Sequence, residues 1–241
     1  MCDKTCSDHW PQMSRRHLLG AGAASMAFLG GLALPAAAQT DLPPPPNAIS
    51  PDAALTRLME GNARYIANTP QVKDFSAGRA ARAQAQYPFV GLVSCADSRV
   101  APELAFDQGP GEVFVVRVAG NFVNDDGLAS LEYGVKVLGI PLLMVLGHSN
   151  CGAVDAAIKV VKDRVELPGH LPLLINAIKP AVEASAGEPG NALDNAIAAN
   201  VRLNVKRLIE AKPILAEAVA AGKVKVVGAV YDIGTGKVSM V

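Results

Sequence analysis

"PLLMVLGHSNCGAV", residues 141 to 154, is the stretch on which the fold turns. Its apolar run reads as a strand buried on both faces, which belongs to a parallel sheet covered by helices. The strand ends at His148, and Cys151 follows within one turn. Working outward, "FVGLVSC" at 89 to 95, "VFVVRVA" at 113 to 119 and "KVKVVGAVYDI" at 223 to 233 repeat the buried-strand pattern. Between them, Leu128, Leu131, Val135 and Leu138 form one helical stripe, and Leu193, Ile197, Val201, Val205 and Leu208 form another. "IGTGK" at 233 to 237 predicts a tight turn returning a final edge strand through Val241. The succession predicts an α/β fold: a mainly parallel central sheet flanked by helices, with an N-terminal helical arm.

That arm is expected in "SPDAALTRLMEGNARYIAN", with Ser50 as N-cap, Pro51 at the first helical position and Leu55, Leu58, Met59 and Ile66 on its apolar face. At 241 residues and 50% hydrophobic composition the chain can bury a substantial core. Its 22 basic residues balance 22 acidic ones. No global field therefore favours nucleic acid, an anionic membrane or an acidic polymer, and a small, lightly charged or uncharged partner is expected.

Residues 1–38 carry paired Arg15 and Arg16, a weakly hydrophobic stretch from Leu18 to Leu34, and a small-residue site at Ala36, Ala37 and Ala38. This resembles a twin-arginine export signal cleaved after Ala38, with a periplasmic destination and no stable membrane association afterwards. A retained membrane anchor is the alternative. Residues 39–50 are a proline-rich linker expected to be an extended tether, and 51–241 form the domain that carries the sheet. Without the signal, Cys95 and Cys151 are the only cysteines and His148 and His170 the only histidines.

In open parallel sheets, sites gather beyond the carboxyl ends of strands. Cys95 ends one strand and His148 another. Two thiolates and an imidazole, from Cys95, His148 and Cys151, are a soft to borderline set that suits zinc, with one tetrahedral position left over. That position takes water or Asp97. Arg99, two residues on, can hold the Asp97 carboxylate in a bidentate pair and keep it off the metal. Zinc then acidifies its water from 15.7 to about 7, on the order of 12 kcal/mol in favour of hydroxide. A disulfide between two buried cysteines of an exported protein is the competing reading of the same thiols.

"CADSRV", "VVRVAGN", "SLEYGVKVLG" and "GHSNCGAV" together resemble the β-class carbonic anhydrases, from about residue 52 to the C-terminus. The resemblance implies a carbonate dehydratase with one zinc per chain, hydrating carbon dioxide to bicarbonate and a proton by zinc-hydroxide attack. It also implies a homodimer or dimer of dimers, with active sites near the subunit interface. Residue by residue, Cys95, His148 and Cys151 match the metal ligands, with Asp97 a fourth ligand in a closed state. Asp97 and Arg99 match the catalytic dyad, and Gln86 and Gly152 match substrate-binding positions. Family members inhibited by bicarbonate carry a tryptophan three residues before the first cysteine; Leu92 stands there, which favours the open form. His170 reads as a loop residue rather than a proton shuttle. Gly120 and Asn121 read as a turn shaping the pocket wall. Two rival functions fit the same residues: attack on carbonyl sulfide or carbon disulfide, and a non-catalytic zinc-binding scaffold. Arg99 and Gln86 argue against the second.

Overall fold

The computed structural model describes residues 45–241; the expected signal at 1–38 and the start of the proline-rich stretch lie outside the described residues. In chain order the elements are α1 (Pro51–Ile66), α2 (Arg79–Gln84), β1 (Val90–Ser94), α3 (Pro102–Ala105), β2 (Val113–Arg117), α4 (Asp125–Lys136) and β3 (Leu142–His148). There follow α5 (Gly152–Asp163), α6 (Leu171–Ala184), α7 (Ala192–Glu210), α8 (Ile214–Ala220), β4 (Lys225–Tyr231) and β5 (Val238–Met240). The sheet order is β2-β1-β3-β4-β5, parallel except for β5.

Helix α1 starts as its sequence dictates. The Ser50 hydroxyl accepts from Ala53 N at 3.1 Å, Pro51 occupies the first turn where its missing N–H costs nothing, and Asp52 meets the positive end of the helix dipole. The expected arm lies against its own sheet: Leu58 is fully buried, and replacing it with alanine would cost about 2–5 kcal/mol. Buried Asn62 fastens the contact, donating to the carbonyls of Ala105 (2.9 Å) and Gly236 (2.8 Å) while accepting from Val238 N (2.9 Å). Gly61 is required there, because any Cβ would fall 1.8 Å from the Phe106 carbonyl oxygen.

The residues just before α1 depart from expectation. Asn47 is only 2% exposed and donates to the Pro88 carbonyl at 3.1 Å and the Leu138 carbonyl at 2.8 Å, so the end of the proline-rich stretch is docked rather than a free tether.

Strands β1 and β3 are buried along their whole lengths. Val90, Leu92, Leu142, Met144 and Leu146 face the core shared with α1 and α3, while Val93, Leu143 and Val145 face the one shared with α4, α7 and α8. This two-sided burial is why neither strand alternates polar with apolar residues. The chain leaves β1 toward β2 on one side and leaves β3 toward β4 on the other. The carboxyl ends of β1 and β3 are therefore a topological switch point, where crossovers part and open a crevice.

Candidate metal centre

The register pairs Ser94 with Leu146, so Cys95 emerges from β1 directly beside the Gly147–His148 end of β3. A tight turn with Asn150 in the left-handed region (φ 54°) then brings Cys151 back as the N-cap of α5. The sulfur atoms of Cys95 and Cys151 and a ring nitrogen of His148 lie within 4.8 Å of one another. All three residues are buried, and neither thiol is in a disulfide.

The histidine's orientation fixes its chemistry. His148 Nδ1 lies 2.8 Å from the Ser149 carbonyl, which can only accept, so Nδ1 carries the proton and Nε2 presents its lone pair. Nε2 is buried with no hydrogen-bond partner among the described residues. Ser149 is itself anchored: its N–H donates to the Tyr231 carbonyl at 2.9 Å and its hydroxyl accepts from Ile233 N at 3.0 Å.

The two thiols titrate as one unit. A hydrogen bond with Cys151 lowers the Cys95 pKa to about 4 against the opposing effect of burial, helped by His148 and by the Gly120 N–H, 3.3 Å from the sulfur. The Cys151 thiol is pushed up by the same contact and by burial, although the Val154 and Ala153 amides favour its charged form. The shared hydrogen bond thus favours one thiolate of the pair over two, and a cation beside both sulfurs would favour the second. Burial disfavours a charged His148, yet the Cys95 sulfur and the Ser149 carbonyl outweigh it and raise its pKa. Buried soft donors, an orphaned imidazole lone pair and a preference for positive charge fit a zinc ion.

Asp97 stands at the rim. Arg99 holds it side-on, Nε to Oδ1 at 2.9 Å and Nη2 to Oδ2 at 2.7 Å, and the Arg99 N–H adds a third bond to Oδ1. These bonds hold the carboxyl well below the usual carboxylate range and raise the guanidinium's own pKa. Asp97 Oδ2 is 3.8 Å from His148 Nε2, and Asp97 falls outside the three-residue cluster. The carboxylate is thus held by its arginine rather than in the closed arrangement.

Sequence reasoning passed over Arg117. From the end of β2 it donates to the carbonyls of Cys95 (2.9 Å), Asp97 (2.8 Å) and Val100 (2.7 Å), bracing the whole Cys95–Val100 loop. Bonds to main-chain oxygen leave no pattern in the residues that accept them, so only its place within "VVRVAGN" pointed to it.

Gln86 is not brought to this centre within one chain. It precedes β1, at the opposite end of the strand from Cys95, where it lines an exposed cavity of about 510 Å³ with Lys73, Arg82, Tyr87 and Glu112. Gly152 opens α5 with nothing within 4 Å of where a Cβ would stand, so packing places no demand on it. His170 is exposed at the start of α6. Leu92 is fully buried in β1.

A switch-point crevice lined by two cysteines and a histidine defines an α/β protein with a side-chain cluster able to bind a metal ion. The family model described as carbonic anhydrase matches residues 90–238. The chain is 37% identical over 189 residues to carbonic anhydrase 2 of Mycobacterium tuberculosis, covering 78% of this chain and 91% of that one. It is also 37% identical over 193 residues to carbonic anhydrase of Mycolicibacterium smegmatis, covering 79% and 93%. Among solved structures, the Coccomyxa β-carbonic anhydrase in complex with acetazolamide superposes with a TM-score of 0.61 at 33% identity, covering 78% of this chain and 86% of that one. One of two tetrameric β-carbonic anhydrases from Sordaria macrospora gives 0.60 at 26%, covering 68% and 86%. The chain belongs to the carbonic anhydrase family, in its β class, and is a carbonate dehydratase.

Proposed function

We propose that the chain hydrates carbon dioxide reversibly at a zinc ion held by Cys95, His148 and Cys151. The observation that carries this reading is the buried His148 Nε2, left without a hydrogen-bond partner beside two thiols. Zinc, when bound, lowers the pKa of a coordinated water to about 7, the figure established for carbonic anhydrases. The protein's residues do the rest. The Asp97 carboxylate, kept ionised and fixed by Arg99, accepts a hydrogen bond from the nucleophile and turns its lone pair toward the substrate carbon. Arg117 fixes the loop that carries both groups.

Gln86 fits a substrate-stabilising role only if it arrives from a second copy of the chain, its amide N–H then meeting the oxygen on which charge develops. Two features support a dimer: Gln86 lies on an exposed face with half-exposed Tyr87 and Phe75, and β2 is an edge strand whose apolar residues are only partly buried. Mixing Gln86→Ala and Cys151→Ser chains would then restore part of the activity each lacks alone; no restoration in verified mixed dimers would remove Gln86 from the site. The N-terminal segment supports export through the twin-arginine route, and replacing Arg15 and Arg16 by lysine is expected to keep the protein in the cytoplasm.

Stopped-flow carbon dioxide hydration with metal analysis tests the central reading. About one zinc per chain is expected in the wild type, with zinc and activity both lost in Cys151→Ser. Full activity in a metal-free preparation would overturn it.

A further inference from the structure

Two buried asparagines on α7 lie apart from the ligands and from the Asp97–Arg99 pair, yet end on the Cys95 sulfur. Asn200 is fully buried and Asn204 is 3% exposed. The Val123 N–H donates to Asn204 Oδ1 at 2.8 Å, Asn204 Nδ2 donates to Asn200 Oδ1 at 3.2 Å, and Asn200 Nδ2 donates to the Gly120 carbonyl at 2.7 Å. Asn204 Nδ2 also donates to the Asn200 carbonyl at 2.8 Å. The polarity of this relay is fixed at both ends, since Val123 N–H can only donate and the Gly120 carbonyl can only accept. Neither amide can flip without losing its bonds.

What the relay holds is a turn built on the two residue types that tolerate the left-handed region. Gly120 (φ 82°) and Asn121 (φ 43°) are both in the left-handed region, and Asn121 is buried with its Nδ2 unpartnered. A Cβ on Gly120 would lie 2.4 Å from Ile178 Cδ1 and 3.3 Å from Ala153 Cβ, so the turn is wedged against α6 and α5. In this conformation the Gly120 N–H points at Cys95 Sγ, 3.3 Å away. A hydrogen bond to a thiolate draws electron density from the sulfur, and such partners tune the metals their ligands hold.

We propose that Asn200 and Asn204 are positioning residues of the metal centre, holding the Val118–Val123 turn so that the Gly120 N–H stays on the Cys95 sulfur. This rests on the zinc reading above. It adds to that reading a control of sulfur basicity exerted from a helix that contributes no ligand.

The test compares cobalt(II)-substituted and zinc-loaded wild type with Asn200→Ala, Asn200→Leu and the remote core variant Leu215→Ala. Both Asn200 variants, one smaller and one of similar size, lack a donor for the Gly120 carbonyl and are expected to shift the thiolate-to-cobalt charge-transfer band to lower energy. Zinc affinity measured against a competing chelator should fall by roughly 10-fold or more. Leu215→Ala, which only opens a cavity, should match the wild type on both readouts. Asn200 variants with a wild-type band and affinity would overturn the proposal. If they do not fold, the wild type loaded with NMR-active cadmium decides: a through-bond coupling between the metal and the Gly120 amide proton is expected, and its absence overturns the proposal. A wild type that takes up no metal sinks the zinc reading and this inference together, whereas a metal-loaded wild type without the coupling sinks this inference alone.

Discussion

Asp97 and Asp107 each accept a hydrogen bond from an arginine Nε, at 2.9 Å from Arg99 and 2.6 Å from Arg64. The surroundings of the two pairs differ. The Asp107 side chain is 2% exposed and its oxygens are saturated by Arg64, by Lys73 and by the Gln71 N–H at 3.1 Å. It ties α1, the segment after it and the end of α3 into one piece. The Asp97 side chain is 16% exposed, its arginine is half in solvent, and its Oδ2 looks toward His148 Nε2. A sealed, saturated pair is a staple. An ion pair left open toward His148 suits the orienting role proposed above.

Stripping the metal is the most severe trial of that contrast. Activity should fall on the order of 1,000-fold or more, while amide exchange around Asp107 stays slow, as hydrogen-exchange mass spectrometry would show. Asp97→Asn comes next: hydration kinetics should fall by roughly 100-fold, with a thermal midpoint close to wild type because the partner Arg99 stands half in solvent, where ion pairing contributes little to stability. Asp107→Ala should do the reverse, costing about 2–3 kcal/mol in denaturant titrations with turnover nearly intact below the unfolding transition. Its acid behaviour sharpens the point. Burial alone would raise the Asp107 pKa, but Lys73, Arg64 and the Gln71 amide bring it down to about 2. A depressed carboxylate stabilises the fold above its unfolded pKa near 4, and the contribution disappears as pH falls toward 2. Wild type and Asp107→Ala should therefore converge in stability across that window; a constant gap down to pH 2 would break the assignment. Arg99→Lys should have the smallest effect, about 10-fold on kcat/KM, because a lysine keeps the charge and loses the bidentate grip.

The strands are legible in the sequence because β1 and β3 are buried on both faces and leave unbroken apolar runs, and α1 because Ser50, Pro51 and Asp52 spell a helix start. The helices α5 and α6 are not, since α5 opens on the metal-ligand motif and α6 contains Pro180, a residue that argues against a helix interior. The three donors are legible as residue types, Cys95 and His148 at strand ends and Cys151 one turn beyond the second. Their meeting depends on strand order, which no local pattern encodes. Gln86 shows the limit most clearly: nine positions from Cys95 in sequence, it is at the far end of a strand in space. Arg117, Asn200 and Asn204 act on main-chain atoms, whose bonding is written in no side-chain spacing.

The donors' dependence on the β1–β3 register has a consequence for biosynthesis. A nascent chain still lacking β3 has Cys95 but neither His148 nor Cys151, and a slip of one residue would turn Cys95 to the opposite side of the sheet. A cation held as proposed by Cys95, His148 and Cys151 would therefore have to wait until both halves of the crevice have docked in frame. Its arrival would mark the end of assembly.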